Sequence, residues 1–237
     1  MFKPAFIPRF PGLTAGFTSR AYGDRPDSLW LVAEGLEPDD FTLYMPLQKH
    51  TDHVLAVTGQ TREGQVADAV VTSDRGVLLG VRVADCVPVL LYDPSVPAVG
   101  AVHAGWRGTA MAILVKAIRK MVAEYGSSEE NVHVAVGPSI RGCCYNVGPE
   151  VIDGLALTME GTGWYEARES RVFVDLAAVN RLQAVEAGVS AVNVHDVREC
   201  TSCLNGTYFS YRRQGPGAGR QAGFIGIHRP EHDSGGG

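Results

Sequence analysis

The chain has 237 residues, 45% of them hydrophobic, and a formal net charge of −5. That length and composition can bury one sizeable core, while the negative balance and the lack of any lysine or arginine run exclude a protein that tracks nucleic-acid phosphates. No stretch reaches the roughly 18 apolar residues of a membrane span, Met1-Phe2-Lys3-Pro4 does not open a signal peptide, and five cysteines make no disulfide framework for a chain this long, so a cytoplasmic protein with small-molecule partners is expected.

Gly16 to Arg20 reads as a short strand ending in a polar turn, which leaves Arg20 as a cation at a loop edge. Residues 28–35 suggest a helix stopped by Gly35. The β runs Val54–Val57, Ala69–Thr72 and Val77–Val81 follow, punctuated by Gly59, Gly64 and Gly76, and their continuous apolar character suits strands covered on both faces. Two more runs, Val87–Tyr92 and Ala98–Val102, carry chemistry at their ends: Asp85 and Cys86 precede the first, and His103-Ala104-Gly105-Trp106-Arg107-Gly108 follows the second. From Met111 to Val122 apolar residues recur at helical spacing, with Gly126 as the stop. His103 to Gly108 therefore reads as a strand-to-helix loop whose helix start can present free N–H groups to an anion.

Val132–Val136 is a further strand, feeding a loop that holds Cys143 and Cys144. Pro149 to Leu157 reads as a helix with proline in its first turn, Phe173–Leu176 as a strand, and Leu176 to Ala187 as a helix ended by Gly188. Ala191–Val194, Thr207–Arg213 and Phe224–Ile227 read as strands, with a mobile glycine-rich loop at 214–219. The pattern predicts a mixed α/β (α+β) fold, with mixed sheets flanked by helices, in one catalytic domain over residues 1–230, and a disordered tail at 231–237.

His50, Cys86 and His103 each lie at or near a strand end, where side chains distant in sequence can converge on one sheet edge. Two imidazoles and a thiolate make a three-ligand zinc set, and catalytic zinc sites keep three protein ligands with a fourth position open. Their spacing matches no local ligand motif. Cys143, Cys144, Cys200 and Cys203 form a rival four-thiol set, but one Cys-x-x-Cys beside an adjacent pair is a weak match, and ordinary buried thiols are the favoured reading. Cys86 as a nucleophile with His103 as its base uses the same residues for other chemistry. A multicopper oxidase needs His-x-His pairs, and the seven histidines here form none.

The strings Ala84-Asp85-Cys86-Val87-Pro88-Val89-Leu90-Leu91, His103-Ala104-Gly105-Trp106-Arg107-Gly108, Gly137-Pro138-Ser139-Ile140 with Cys143-Cys144-Tyr145, and Cys200-Thr201-Ser202-Cys203 with Phe209-Ser210-Tyr211-Arg212-Arg213 resemble the family once labelled multicopper polyphenol oxidase (laccase). That family is now described as zinc-dependent purine nucleoside phosphorylases with adenosine deaminase activity, and its bacterial members are also called peptidoglycan editing factors. The resemblance runs from about Gly16 to Ile227. It implies a fold of the family's own, cysteine-hydrolase-like type, zinc on His50, Cys86 and His103, and purine nucleosides and phosphate as substrates. This chain has Gln48-Lys49-His50-Thr51 where the family usually has Gln-Val-His-Gly, so His53 is the alternative third ligand. Within that reading Arg107 and Arg20 are the phosphate-binding candidates, and Asp85, beside a ligand, is a candidate for proton transfer or for orienting the site. The competing expectation is a Cys86–His103 hydrolase acting on amide bonds of cell-wall precursors.

Overall fold

The alternation of side chains along the buried strands sorts them between two cores. In the computed structural model, which describes residues 3–4, 9–24, 40–161 and 163–229, the strands are β1 (Leu13–Phe17), β2 (Thr42–Tyr44), β3 (Val54–Ala56), β4 (Ala69–Thr72), β5 (Val77–Val83), β6 (Val87–Asp93), β7 (Ala98–Ala104), β8 (His133–Val136), β9 (Asn146–Val147), β10 (Tyr165–Arg168), β11 (Arg171–Val174), β12 (Val194–Asp196) and β13 (Gln221–Ile227). The helices are α1 (Trp106–Ala110), α2 (Ile113–Tyr125), α3 (Pro149–Ala156), α4 (Leu176–Glu186) and α5 (Tyr211–Gln214). The helix expected at 28–35 and the tail at 231–237 lie outside the described residues.

A six-stranded sheet runs β12-β8-β6-β7-β4-β3, parallel at its two outer pairs and antiparallel within. On β6, Val87, Val89 and Leu91 enter one core with Ile113, Leu114, Ile118 and Met121 of α2 and Val179 of α4. Leu90 and Tyr92 point the other way, into a core shared with Phe17, Leu79, Val81 and Ile225 of a four-stranded sheet ordered β1-β13-β5-β2. The period of two thus explains why these strands read as unbroken apolar runs: each face has its own cover. A small antiparallel sheet, β10-β11-β9, completes a mixed α+β single domain, the expected fold class. No described helix is long and apolar enough to cross a membrane.

Three local expectations need correction. The helix after His103 starts at Trp106, earlier than the apolar period suggested, so the expected loop shrinks to Gly105. It then breaks, because Ala112 takes a left-handed conformation (φ 54°), and it resumes as α2. Side chains of α4 hold the break: Asn180 Nδ2 donates to Thr109 Oγ1 and Gln183 Nε2 to the Thr109 carbonyl, both at 3.0 Å. Residues Ala191–Asn193 form a 3-10 turn and pairing begins only at Val194. Thr207 to Arg213 is not a strand: Tyr211–Gln214 is a helical turn whose Ser210 cap accepts from the Arg213 N–H, and beyond it Gly215–Gly217 form a 3-10 turn.

Leu90 is fully buried between the sheets, and Leu90→Ala should lower unfolding free energy by about 2–5 kcal/mol through lost transfer and a residual cavity. Urea denaturation measures it; a loss below about 1 kcal/mol would mean the two sheets can close over the gap.

Candidate metal centre

Strand register builds the centre. Pairing of Val87 with Ala104 and of Pro88 with His103 places Cys86, just before β6, across from Gly105, just after β7. Pairing of Ala69 with Val102 likewise brings Asp68, just before β4, beside His103, whose N–H donates to the Asp68 carbonyl at 2.7 Å. Gly105 is required there. A Cβ on it would lie 3.0 Å from the His50 ring and 3.1 Å from Cys86 Sγ, so a side chain would push two of the three candidate ligands apart.

The ligand atoms of His50, Cys86 and His103 lie within 4.8 Å of one another. His50 Nε2 is 3.9 Å from Cys86 Sγ, and the two imidazoles meet edge to face with centroids 4.8 Å apart. His53 is not in this group: its Nδ1 donates to the Val66 carbonyl at 2.7 Å. His50 (φ 59°) and Asp85 (φ 86°) both hold left-handed backbone, a conformation that costs of order 1–3 kcal/mol and clusters at functional sites.

Asp68 organises the set, and sequence reasoning missed it. It is fully buried, and its carboxylate accepts from the N–H groups of Lys49 (3.1 Å), His50 (3.0 Å) and Thr51 (2.6 Å), from Thr51 Oγ1 (2.7 Å) and from His103 Nδ1 (2.8 Å). Burial alone would raise its pKa, but the bonds from His103, Thr51 and Lys49 outweigh burial and hold the carboxyl well below the usual carboxylate range. The Nδ1 bond leaves His103 Nε2 as the atom turned to Cys86, the tautomer a ligand needs. Burial would raise the Cys86 thiol, yet His103 and His50 bring it down to about 6. Burial would lower His103, yet the Cys86 charge and the Asp68 bond raise it to about 9. Without a metal both shifts favour the thiolate–imidazolium form of the pair, and a metal taking both atoms as ligands would have to displace the imidazolium proton.

The donor set fits a metal: two imidazoles and a thiolate, an anionic residue fixing one imidazole, and an open side. That side is a cleft of about 690 Å³, lined by both sheets and by Gln48, Lys49, His50, Arg82, Cys86, His103, Tyr211 and Arg220. Arg20 and Arg107 do not line it. Arg20 Nε donates to the Asn205 (2.8 Å) and Tyr208 (3.1 Å) carbonyls while its guanidinium lies 4.5 Å from the Phe209 ring centroid. The exposed Arg107 stacks on Trp106 at 4.4 Å, within electrostatic range of Tyr145. Because α1 has only five residues, it contributes little of the helix-end field expected for anion binding. Asp85 uses both carboxylate oxygens structurally, accepting from Thr201 Oγ1 and from the Arg212 N–H at 2.6 Å each. Arg82, Arg220 and Tyr211 come from distant parts of the chain, and only a flanking position in the Tyr211-Arg212-Arg213 string hinted at any of them.

Fold and site together define a mixed α+β protein whose open three-donor centre sits at the mouth between two sheets. The chain belongs to the family described as multi-copper polyphenol oxidoreductase laccase, whose model matches residues 27–228. A purine nucleoside phosphorylase of Deinococcus radiodurans is 36% identical over 242 residues, covering 98% of this chain and 91% of that one. Adenosine deaminase RL5, from an unknown prokaryotic organism, is 35% identical over 207 residues, 82% of this chain and 77% of its own. The crystal structure of YlmD from Geobacillus stearothermophilus superposes with a TM-score of 0.84 at 29% identity, covering 94% of each chain.

Asp68→Asn keeps the shape but loses the charge and the acceptor capacity that four donors besides His103 use. Zinc affinity, measured by chelator competition, should fall about 10–100-fold with the fold retained. Unchanged affinity would mean that Asp68 ties the loop without orienting the ligand.

Proposed function

We propose that this chain is a zinc-dependent purine nucleoside enzyme that cleaves adenosine, inosine, guanosine and methylthioadenosine with phosphate and also deaminates adenosine. The observation that carries this reading is the open His50–Cys86–His103 set facing a nucleoside-sized cleft, in a chain whose relatives bear the names purine nucleoside phosphorylase and adenosine deaminase. Zinc, when bound there, would supply Lewis acidity at the cleft. Asp68 keeps His103 oriented toward it. Tyr211, 51% exposed on the cleft wall, offers a ring against which a purine can stack. Lys49, Arg82 and Arg220 put positive charge on the same walls, where phosphate oxygens would sit. Arg107 offers a further guanidinium beside Tyr145, and Arg20, tied to the 205–208 carbonyls, would act by holding that loop. Asp85, with both oxygens engaged, would orient the site from below.

His50→Ala, Cys86→Ala and His103→Ala should each abolish zinc binding at this centre and, with it, both reactions, whereas His53→Ala keeps them. The test incubates metal-quantified protein with adenosine, inosine and methylthioadenosine, with and without phosphate, and identifies the products. Activity that survives chelation and Cys86→Ala would reject the reading. For Arg107→Ala, a phosphate role means a raised phosphate KM with deamination largely kept. Equal loss of both reactions, or of neither, would leave phosphate to the cleft cations.

A second reading has its own support. Cys86, His103 and Asp68 stand in the order nucleophile, proton-holding imidazole and orienting carboxylate, with the thiol lowered to about 6. A cysteine hydrolase on cell-wall amide bonds would be inhibited by zinc and killed by thiol alkylation of the metal-free protein. The nucleoside enzyme would instead be switched on by zinc.

A further inference from the structure

The other four cysteines converge as well. Strands β8 and β12 are parallel neighbours, Val134 beside Val194 and Val136 beside Asp196, and both chains leave the sheet at the same end. They stay together beyond it. Ser139 and Cys200 form a parallel bridge, the Ser139 N–H donates to the Glu199 carbonyl at 3.2 Å, and the Thr201 N–H donates to the Ser139 carbonyl at 3.1 Å. Each chain then turns back on itself: the Cys144 N–H donates to the Arg141 carbonyl, and the Leu204 N–H to the Cys200 carbonyl, both at 2.9 Å. The two turns present Cys143 and Cys144 to Cys200 and Cys203. Cys203 Sγ is 3.5 Å from Cys143 Sγ and 3.3 Å from Cys144 Sγ, and all four sulfurs lie within 4.8 Å of one another. The expectation of buried thiols fails for Cys143 and Cys203, which are exposed, and holds for Cys200.

We propose that Cys143, Cys144, Cys200 and Cys203 form a second, structural zinc site, independent of the His50–Cys86–His103 centre. Four thiolates at about 2.3 Å from one zinc ion in a tetrahedron stand about 3.8 Å apart; the two Cys203 spacings of 3.5 and 3.3 Å fall a few tenths of an ångström short of that, and no pair exceeds 4.8 Å. A [4Fe–4S] cluster, which gives each thiolate its own iron, and a [2Fe–2S] cluster, which splits the thiolates into pairs on two irons, both hold some of the four sulfurs farther apart than this. Four protein ligands leave no open position, the mark of a structural site. Zinc with four thiolates is doubly negative, and Arg168 lies within electrostatic range of Cys143 while Arg141 lines the same cavity as that thiol. The Ser202 hydroxyl hydrogen-bonds Cys144, the kind of outer contact that steadies a ligand. Binding joins the turn before Tyr145, whose ring lies near Cys86, to the turn whose Thr201 holds Asp85, so the second ion braces the wall of the first site.

Zinc analysis of protein purified without added metal tests this directly. Wild type should hold about two zinc ions per chain, and Cys86→Ala/His103→Ala about one. That remaining ion should disappear when Cys143→Ser and Cys203→Ser are added. Should those serine variants not fold, cobalt loaded into the Cys86→Ala/His103→Ala protein gives a second reading: an intense sulfur-to-metal charge-transfer band with tetrahedral d–d bands is expected. A metal-free Cys86→Ala/His103→Ala protein that takes up cobalt without that band would overturn the proposal. So would peptide mapping of wild type that finds these cysteines as disulfides. Loss of zinc from the first centre alone leaves this result unaffected, so the two sites stand or fall separately.

Discussion

Five donors converge on the carboxylate of Asp68, and the first centre depends on that convergence. A buried carboxylate without partners would cost several kcal/mol or take up a proton. Here three consecutive N–H groups from residues 49–51, one hydroxyl and one imidazole hold it charged. Those bonds fix two ligands at once. His50 is set in its strained left-handed conformation by the anion beneath its own N–H, and His103 is set in its tautomer by the same anion at Nδ1. One residue thus links a loop after β2 to the end of β7, across elements that share no strand pairing.

The sheets explain why the remaining ligand needs no such clamp. Cys86 immediately precedes β6, and the β6–β7 register fixes it relative to His103 before any side-chain interaction is counted. The core on both faces of the six-stranded sheet makes that register costly to shift, because a one-residue slip would carry Leu90 and Tyr92 to the wrong core. Rigidity of the scaffold and openness of the site then coexist: the ligands sit at strand ends where the two sheets part, and the cleft uses residues from both.

How much of this was legible in the sequence follows from range. Strands β4 to β8 announce themselves through local apolar runs, and the three ligand candidates through residue type at strand ends, so both were readable from short windows. Asp68 was not. A single acid before an apolar strand looks the same whether it is solvated or receives five hydrogen bonds, since every donor lies at least 17 residues away. The cleft cations share that difficulty, as Arg82 and Arg220 are brought together only by the β13–β5 pairing. Thr207–Arg213 misled for a related reason: its aromatic content favours a strand, but Asp85, more than a hundred residues earlier, captures the Arg212 N–H and turns the segment into a helix. The four cysteines were visible as a set but set aside, because the two halves are joined by a parallel strand pair, a relation with no local sequence mark.

Metal and nucleophile compete for one set of atoms at the first centre. The thiolate that attacks in a hydrolase is the thiolate that ligates zinc, and the imidazolium that would serve as its acid must lose its proton before it can bind the ion. Occupancy by zinc therefore removes both groups of the Cys86–His103 pair from proton-transfer chemistry, leaving the reacting atoms to the open position and the cleft. Asp68 does not choose between them, because an anion at Nδ1 assists a ligand and a base alike. What tilts the balance is His50. A cysteine nucleophile needs one imidazole, whereas this site holds a second with its Nε2 at 3.9 Å from the sulfur, in a backbone conformation maintained at a cost. His50 helps lower the thiol that a dyad would use, but its strained placement also completes a three-donor set, which a dyad does not require and a metal does.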